Sequence, residues 1–295
     1  MGIATPTGSG QWVVALEAES TLRDLGIRGD IIKTMHRAFT ERGQDRGIAD
    51  YVMDTRASSS PIIGRLIDTG LHDELTGEAY AVIDGTDGRA HHVRFQGGEA
   101  FAHAPPAGGI VEVRRFGGPD DPRPTLVLAS RSDIDLDRQV TAPGATWLDH
   151  RLVERERMPL AMGGFGQEVH DALTARAEHL VAQGLARHEG TRIVMQPNLL
   201  ATLRGREIDA AGARLSAETG LPYTLPARGE TVAGTYSQRL TLTSGRFAII
   251  DNGLGFALVP WTPELDRHLG RHVAGVAKDS GGIEWSFGRK RGLGI

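Results

Sequence analysis

The segment Trp285-Ser286-Phe287-Gly288-Arg289-Lys290-Arg291-Gly292 sets three contiguous cations beside two aromatic rings. That pairing suits a single nucleic-acid strand, because cations hold phosphates while a base stacks on a ring. Arg289, Lys290, Arg291 and, upstream, Arg246 are the candidate phosphate contacts, and Trp285 is the candidate stacking platform. A frayed basic terminus accounts for the same cations, and Trp285 and Phe287, two apart, share one strand face and suit a core. Any contact with a polyanion must be local. The chain carries 33 basic and 37 acidic residues, with a formal net charge of −4 and a pI near 6.3, whereas wholesale nucleic-acid binders usually have a pI above about 9. Only Lys33, Lys278 and Lys290 are lysines. The positive charge is therefore nearly all guanidinium, which suits bidentate phosphate contacts and also accompanies Ala- and Gly-rich coding sequence.

Metal and nucleophile chemistry is poorly supplied. The absence of cysteine excludes disulfides, thiolate metal sites and a Cys nucleophile. No His-x-His occurs, and His91 and His92, being adjacent on a predicted strand, point to opposite faces and do not share a metal. His268 and His272 have the i, i+4 spacing of a zinc pair on a helix predicted over 263–271, but Leu269 stands where a zincin carries its Glu base, so a solvated helix face is expected. His72-Asp73-Glu74 reads as carboxylates capping a turn. Tyr51, Tyr80, Tyr223 and Tyr236 read as core or barrel-surface residues. Gly163-Gly164-Phe165-Gly166 and Gly253-Leu254-Gly255 complete no nucleotide-binding loop, and Ser9 lacks the strand-turn-helix setting of a nucleophile elbow. No catalytic residue, metal or cofactor is expected.

The elements that must position these residues follow from periodicity. Leu22 and Leu25, then Ile31, Met35 and Phe39, predict two short helices joined at Gly26 to Gly29, with Asp30 as N-cap of the second. From 61 to 130, short apolar runs around Gly85-Thr86-Asp87-Gly88 predict a small β-barrel. Residues 131–222 read as a helical segment, with a helix, hairpin, helix order compatible with a winged-helix fragment or a connector. Runs separated by Ser244-Gly245 and Asn252-Gly253 predict a second strand-rich domain over 223–295 that ends in the basic tail. The expected fold is α+β: two small antiparallel β-barrel-like (SH3/OB-like) domains joined by a helical segment, behind an N-terminal helical segment at 1–60. The first residues lack a secretory pattern and no apolar run is long enough to span a bilayer. A cytoplasmic location with no membrane partner is expected.

Six blocks, TLRDLGIRGDIIKTMHRA (21–38), GLHDELTGEAYAVIDGTDGRAHHVRF (70–95), TAPGATWLD (141–149), RLSAETGL (214–221), SGRFAIIDNGLGFALVPW (244–261) and WSFGRKRGLG (285–294), extend over nearly the whole chain. In them the chain resembles the carboxy-terminal half of VirD-type conjugative relaxases. In that family the region follows a metal-dependent nuclease half that nicks one strand at a transfer origin, and that half has no counterpart among these blocks. The resemblance implies the process, DNA transfer, without implying the reaction. The expected partner is single-stranded or origin-of-transfer DNA, in a non-catalytic accessory role. The competing expectations are an adaptor to the nuclease half or a type IV coupling protein, and an unrecognised hydrolase.

Overall fold

The computed structural model describes residues 4–7, 11–53, 61–117, 125–156, 158–278 and 281–287. The fold is mixed α+β with two six-stranded sheets. The chain divides into two units, Met1–Ser130 with Pro159–His170, and Arg131–Met158 with Asp171–Ile295.

In the first unit the hairpin β1 (Ala4–Pro6) and β2 (Trp12–Val14) precedes helix α1 (Ala18–Glu41). The expected pair of short helices is corrected to one helix of 24 residues that runs through Gly26 and Gly29. An interior glycine costs about 1 kcal/mol relative to alanine, which weakens a proline-free helix without ending it. Asp30, the expected cap, lies mid-helix and pairs with Lys33 at 3.3 Å. Burial of Ile31, Met35, Ala38 and Phe39 offsets the glycine cost.

The first sheet contains β3 (Tyr51–Met53), β4 (Ile62–Asp73), β5 (Glu78–Gly85), β6 (Ala90–Phe95), β7 (Ile110–Phe116) and β8 (Thr125–Ser132), in the order β3-β6-β5-β4-β7-β8. The predicted β5–β6 hairpin forms, with Gly88 at φ +80° in its turn. Strand alternation sends Val82 toward α1 together with Ile67, and sends Ala81 and Ile83 to the other face with Val93, Val111 and Leu128. With both faces covered, β5 is buried almost continuously. At its end Asp84, 0 % exposed, accepts from Arg46 Nη2 through both carboxylate oxygens (2.7 and 2.8 Å) and from Arg65 Nη2 (2.9 Å). Arg65 also donates to Glu168 at 2.9 Å and lies 4.6 Å from the centre of the Phe165 ring.

The second unit holds α2 (Leu136–Thr141), α3 (Trp147–Val153), helix α4 (Gly164–Ala182) from Asp171 onward, the hairpin β9 (Ala186–Glu189) and β10 (Arg192–Met195), and α5 (Leu199–Thr219). Its sheet contains β11 (Tyr223–Thr224), β12 (Thr231–Leu242), β13 (Gly245–Asp251), β14 (Phe256–Pro260), β15 (His272–Ala277) and β16 (Ile283–Trp285), in the order β11-β14-β13-β12-β15-β16. Among the described residues its strands pair antiparallel except β11 with β14. One face packs against α5 through Ile208, Ala211, Phe247, Ile249 and Leu258. The other gathers Val232, Tyr236, Ala248, Ile250, Val259 and Val273.

The barrel-like expectation is corrected to open sheets. Among the described residues no closed barrel is present: β3 and β8 end the first sheet, and β11 and β16 end the second. Closure requires the first and last strands to pair. Here edge positions are taken instead by the short parallel strands β3 and β11.

Two polar knots organise the second unit. Arg176, 0 % exposed, donates all five of its N–H groups: Nε and Nη2 to Asp149 (both 2.8 Å), Nη1 to the carbonyls of Val140 (3.2 Å) and Ala142 (2.7 Å), and Nη2 also to that of Gly144 (3.0 Å). Asp149 in turn accepts from the backbone and hydroxyl of Thr146 in a capping box that starts α3. In the second knot Glu207 of α5 accepts from the amides of Thr243 and Ser244 at 2.8 Å each, while Thr243 Oγ1 and Ser244 Oγ accept from the amides of Gly144 and Ala145. Gly144 is required here, because a Cβ would lie 1.9 Å from the Glu207 carboxylate.

Candidate functional site

β16 is an edge strand paired with β15 in the register Gly275–Trp285. Ile283, Trp285 and Phe287 alternate with Glu284 and Ser286, and all three pack on the Val232 and Tyr236 cluster while staying partly exposed. The Trp285 and Phe287 rings stack at 6.3 Å and 20°, and Phe287 stacks on His268 at 4.2 Å and 6°. The result is a ladder of three rings, His268, Phe287 and Trp285. The buried Trp285 indole N–H has no hydrogen-bond acceptor among the described residues. Arg289, Lys290 and Arg291, which follow the ladder in sequence, lie outside the described residues. Arg246, on β13, forms a two-pronged ion pair with Asp133 (Nε to Oδ2, 2.6 Å) and lies 5.8 Å from the centre of the Trp261 ring. The structure thus joins Trp285 to two other rings and holds Arg246 through a carboxylate.

The i, i+4 geometry expected for His268 and His272 is corrected. The helix is a single 3-10 stretch, Pro263–His268, after which Gly270 at φ +73° turns the chain, and His272 opens β15. The two imidazoles are therefore not on one helix face. His91 and His92 occupy opposite faces of β6: His91 Nε2 meets both Asp87 oxygens at 3.0 Å, while His92 stacks on Tyr80 at 5.0 Å. Burial works to raise the Asp87 pKa, but the hydrogen bond and charge of His91 outweigh it and hold the carboxyl below its ordinary value. Among the described residues no group of three His, Cys, Asp or Glu side chains could hold a metal ion. All four tyrosines have raised pKa values, with burial as the leading cause in each. Tyr223 is pushed up to about 12 by burial and by Asp209. A phenol nucleophile is activated by the opposite shift or by an adjacent base. Ser9 lies outside the described residues.

A cavity of about 560 Å³ opens in the second unit between α5, β13, β14 and the residues Ala277, Lys278, Gly281 and Ile283. Its walls include Leu200, Ile208, Phe247, Leu258 and Ile283, and its charged lining among the described residues is Arg204, Arg228, Lys278 and Asp209. Arg204 projects from α5 and lies 5.3 Å from the centre of the Phe247 ring. No carboxylate among the described residues pairs with it, and burial alone pushes its guanidinium below the ordinary arginine value. His150 also lines the cavity; burial, with Arg131 and Arg204 adding repulsion, lowers its pKa against the opposing pull of Asp149 and Glu154. Sequence reasoning missed this site. A signal was present: Arg204 and Glu207 interrupt the apolar stripe Leu199, Leu203, Ile208 and Ala211 on α5, and a charge on a buried stripe needs a partner. Glu207 finds the Thr243–Ser244 turn, whereas Arg204 meets an aromatic face and no carboxylate among the described residues.

A family model described as protein of unknown function (DUF3363) matches residues 1–125 and 120–294. The chain belongs to the DUF3363 family. No curated protein and no solved structure matches it. In this DUF3363 chain no helix among the described residues is long and apolar enough to cross a membrane.

Proposed function

We propose that the chain is a DNA-associated accessory region of a conjugative relaxase, which assists transfer of plasmid or integrative-element DNA by binding the strand without cutting it. The observation that carries this reading is the partly exposed ladder His268, Phe287 and Trp285, followed in sequence by Arg289-Lys290-Arg291. Rings that stack on bases, next to cations that hold phosphates, are the parts from which sequence-tolerant single-strand sites are made. The resemblance to VirD-type relaxases supplies the process, and of its blocks 244–261 contains β13 and β14, while 285–294 begins with the ladder rings Trp285 and Phe287.

Fluorescence anisotropy with labelled single-stranded DNA over a salt series tests it. Each lost phosphate contact lowers the salt slope by about 0.7, so replacing Arg289, Lys290 and Arg291 together by Ala flattens the slope clearly. Trp285→Ala weakens binding by about 1–3 kcal/mol without changing the slope. An unchanged affinity and slope in the triple variant, or no binding by the wild type at low salt, refutes the proposal.

A second reading, an adaptor to the relaxase nuclease half or the coupling machinery, is favoured by a different observation. Trp12, Val13 and Val14 of β2, and Leu22, Leu25 and Ile27 in the first half of α1, are exposed, and exposed apolar side chains are the material of interaction surfaces. Under this reading Leu22→Glu with Leu25→Glu abolishes association with a nuclease half supplied in trans and leaves DNA binding intact. Association that persists in the double variant removes this face from the adaptor reading.

A further inference from the structure

We infer that the cavity of the second unit is a binding site for a small amphiphilic anion, a molecule with an apolar body and one carboxylate or phosphate head, with Arg204 as the head-group contact. The volume of about 560 Å³ falls within the roughly 300–1,000 Å³ of small-ligand pockets, which are mostly apolar with a few placed polar groups. Leu200, Ile208, Leu258 and Ile283 supply the apolar walls.

The class of ligand follows from Arg204. Removing a guanidinium from water is costly unless an anion accompanies it. Elsewhere in this unit the buried guanidinium of Arg176 is met by Asp149 and the partly exposed one of Arg246 by Asp133, and Arg204 is likewise partly exposed. Arg204 has the Phe247 ring and no carboxylate among the described residues. A planar guanidinium backed by an aromatic face presents its edge to an incoming oxyanion in fixed geometry. Arg228 and Lys278 line the same cavity, each with a partner of its own, Lys278 with Glu284 at 3.3 Å, which leaves Arg204 as the head-group contact. Asp209, the one carboxylate of the lining among the described residues, opposes a second negative charge on the ligand. The site uses neither the aromatic ladder nor the basic tail, so the DNA proposal and this one stand or fall separately.

Calorimetric titration of the full chain with octanoate, octanol and thymidine monophosphate tests the inference. Octanoate binds at one saturable site, and octanol, with the same body and no charge, binds at least roughly tenfold more weakly, the loss of one charge-assisted contact. Arg204→Gln brings octanoate to the level of octanol without changing octanol itself. Because Arg204 is only partly buried and pairs with no carboxylate among the described residues, the unliganded melting temperature of the variant stays close to that of the wild type; a purely structural arginine would lower it. Ala201→Trp, which fills the cavity from an exposed position on α5, abolishes both octanoate and octanol binding. Equal affinity for octanoate and octanol, octanoate binding unchanged in Arg204→Gln, or thymidine monophosphate binding as tightly as octanoate, overturns the inference.

Discussion

Arg176→Met lowers the unfolding free energy by about 3–5 kcal/mol, the range for breaking a buried ion pair from one side. The side chain is 0 % exposed, and so is its partner Asp149. Methionine fills most of the volume but leaves the Asp149 carboxylate with only its Thr146 donors, and strips hydrogen bonds from the carbonyls of Val140, Ala142 and Gly144. Buried acceptors left without donors cost about 1–3 kcal/mol each before relaxation, so the total lies at the upper end. Arg176→Lys does not rescue the loss, because an ammonium has three donors from one centre and cannot reach acceptors spread around a guanidinium plane. Urea unfolding followed by circular dichroism measures the effect. A loss below about 1 kcal/mol would show that the knot is dispensable.

Asp84→Asn costs about 3 kcal/mol, at the low end of the same range because its partners keep some access to water: Arg46 and Arg65 are 13 % and 14 % exposed. The amide leaves two guanidinium groups facing each other, with Glu168 remaining as a carboxylate for Arg65 only. Arg46→Ala is the informative comparison. It leaves Asp84 paired with Arg65, so its cost is smaller than that of Asp84→Asn. The reverse order in thermal or urea unfolding would mean that Arg46 acts through packing rather than charge.

Local chemistry made part of this molecule legible. The β5–β6 hairpin followed from Gly85-Thr86-Asp87-Gly88, and the meander of β13 and β14 from Ser244-Gly245 and Asn252-Gly253, because a turn residue with positive φ leaves a mark in the sequence. Opposed faces for His91 and His92 followed from strand alternation. What escaped was whatever depended on distant partners. β3 and β11 are three and two residues long and pair in parallel with strands far along the chain, so no periodicity marks them. α1 runs through its glycines because a face of Ile31, Met35 and Phe39 packs elsewhere, which propensity does not record. The Arg65–Glu168 pair joins residues 103 positions apart, and Arg204 became conspicuous only once the surrounding acids were accounted for.

The Glu207 knot also sets a schedule. The amides of Gly144 and Ala145 find their acceptors at Thr243 and Ser244, each 99 residues later in the chain. At ribosomal rates of about 5–20 residues per second, the segment 141–149 waits roughly 5–20 s for the turn that secures it. Glu207 is made 36 residues before Thr243, so for the last roughly 2–7 s of that interval its carboxylate stays hydrated and the α5 face that later covers Phe247 and Leu258 is bare. Synthesis rate and the protection of nascent chains therefore bear on the yield of the folded second unit, as on the Arg65–Glu168 pair of the first, whereas the β5–β6 hairpin closes as soon as both strands have emerged.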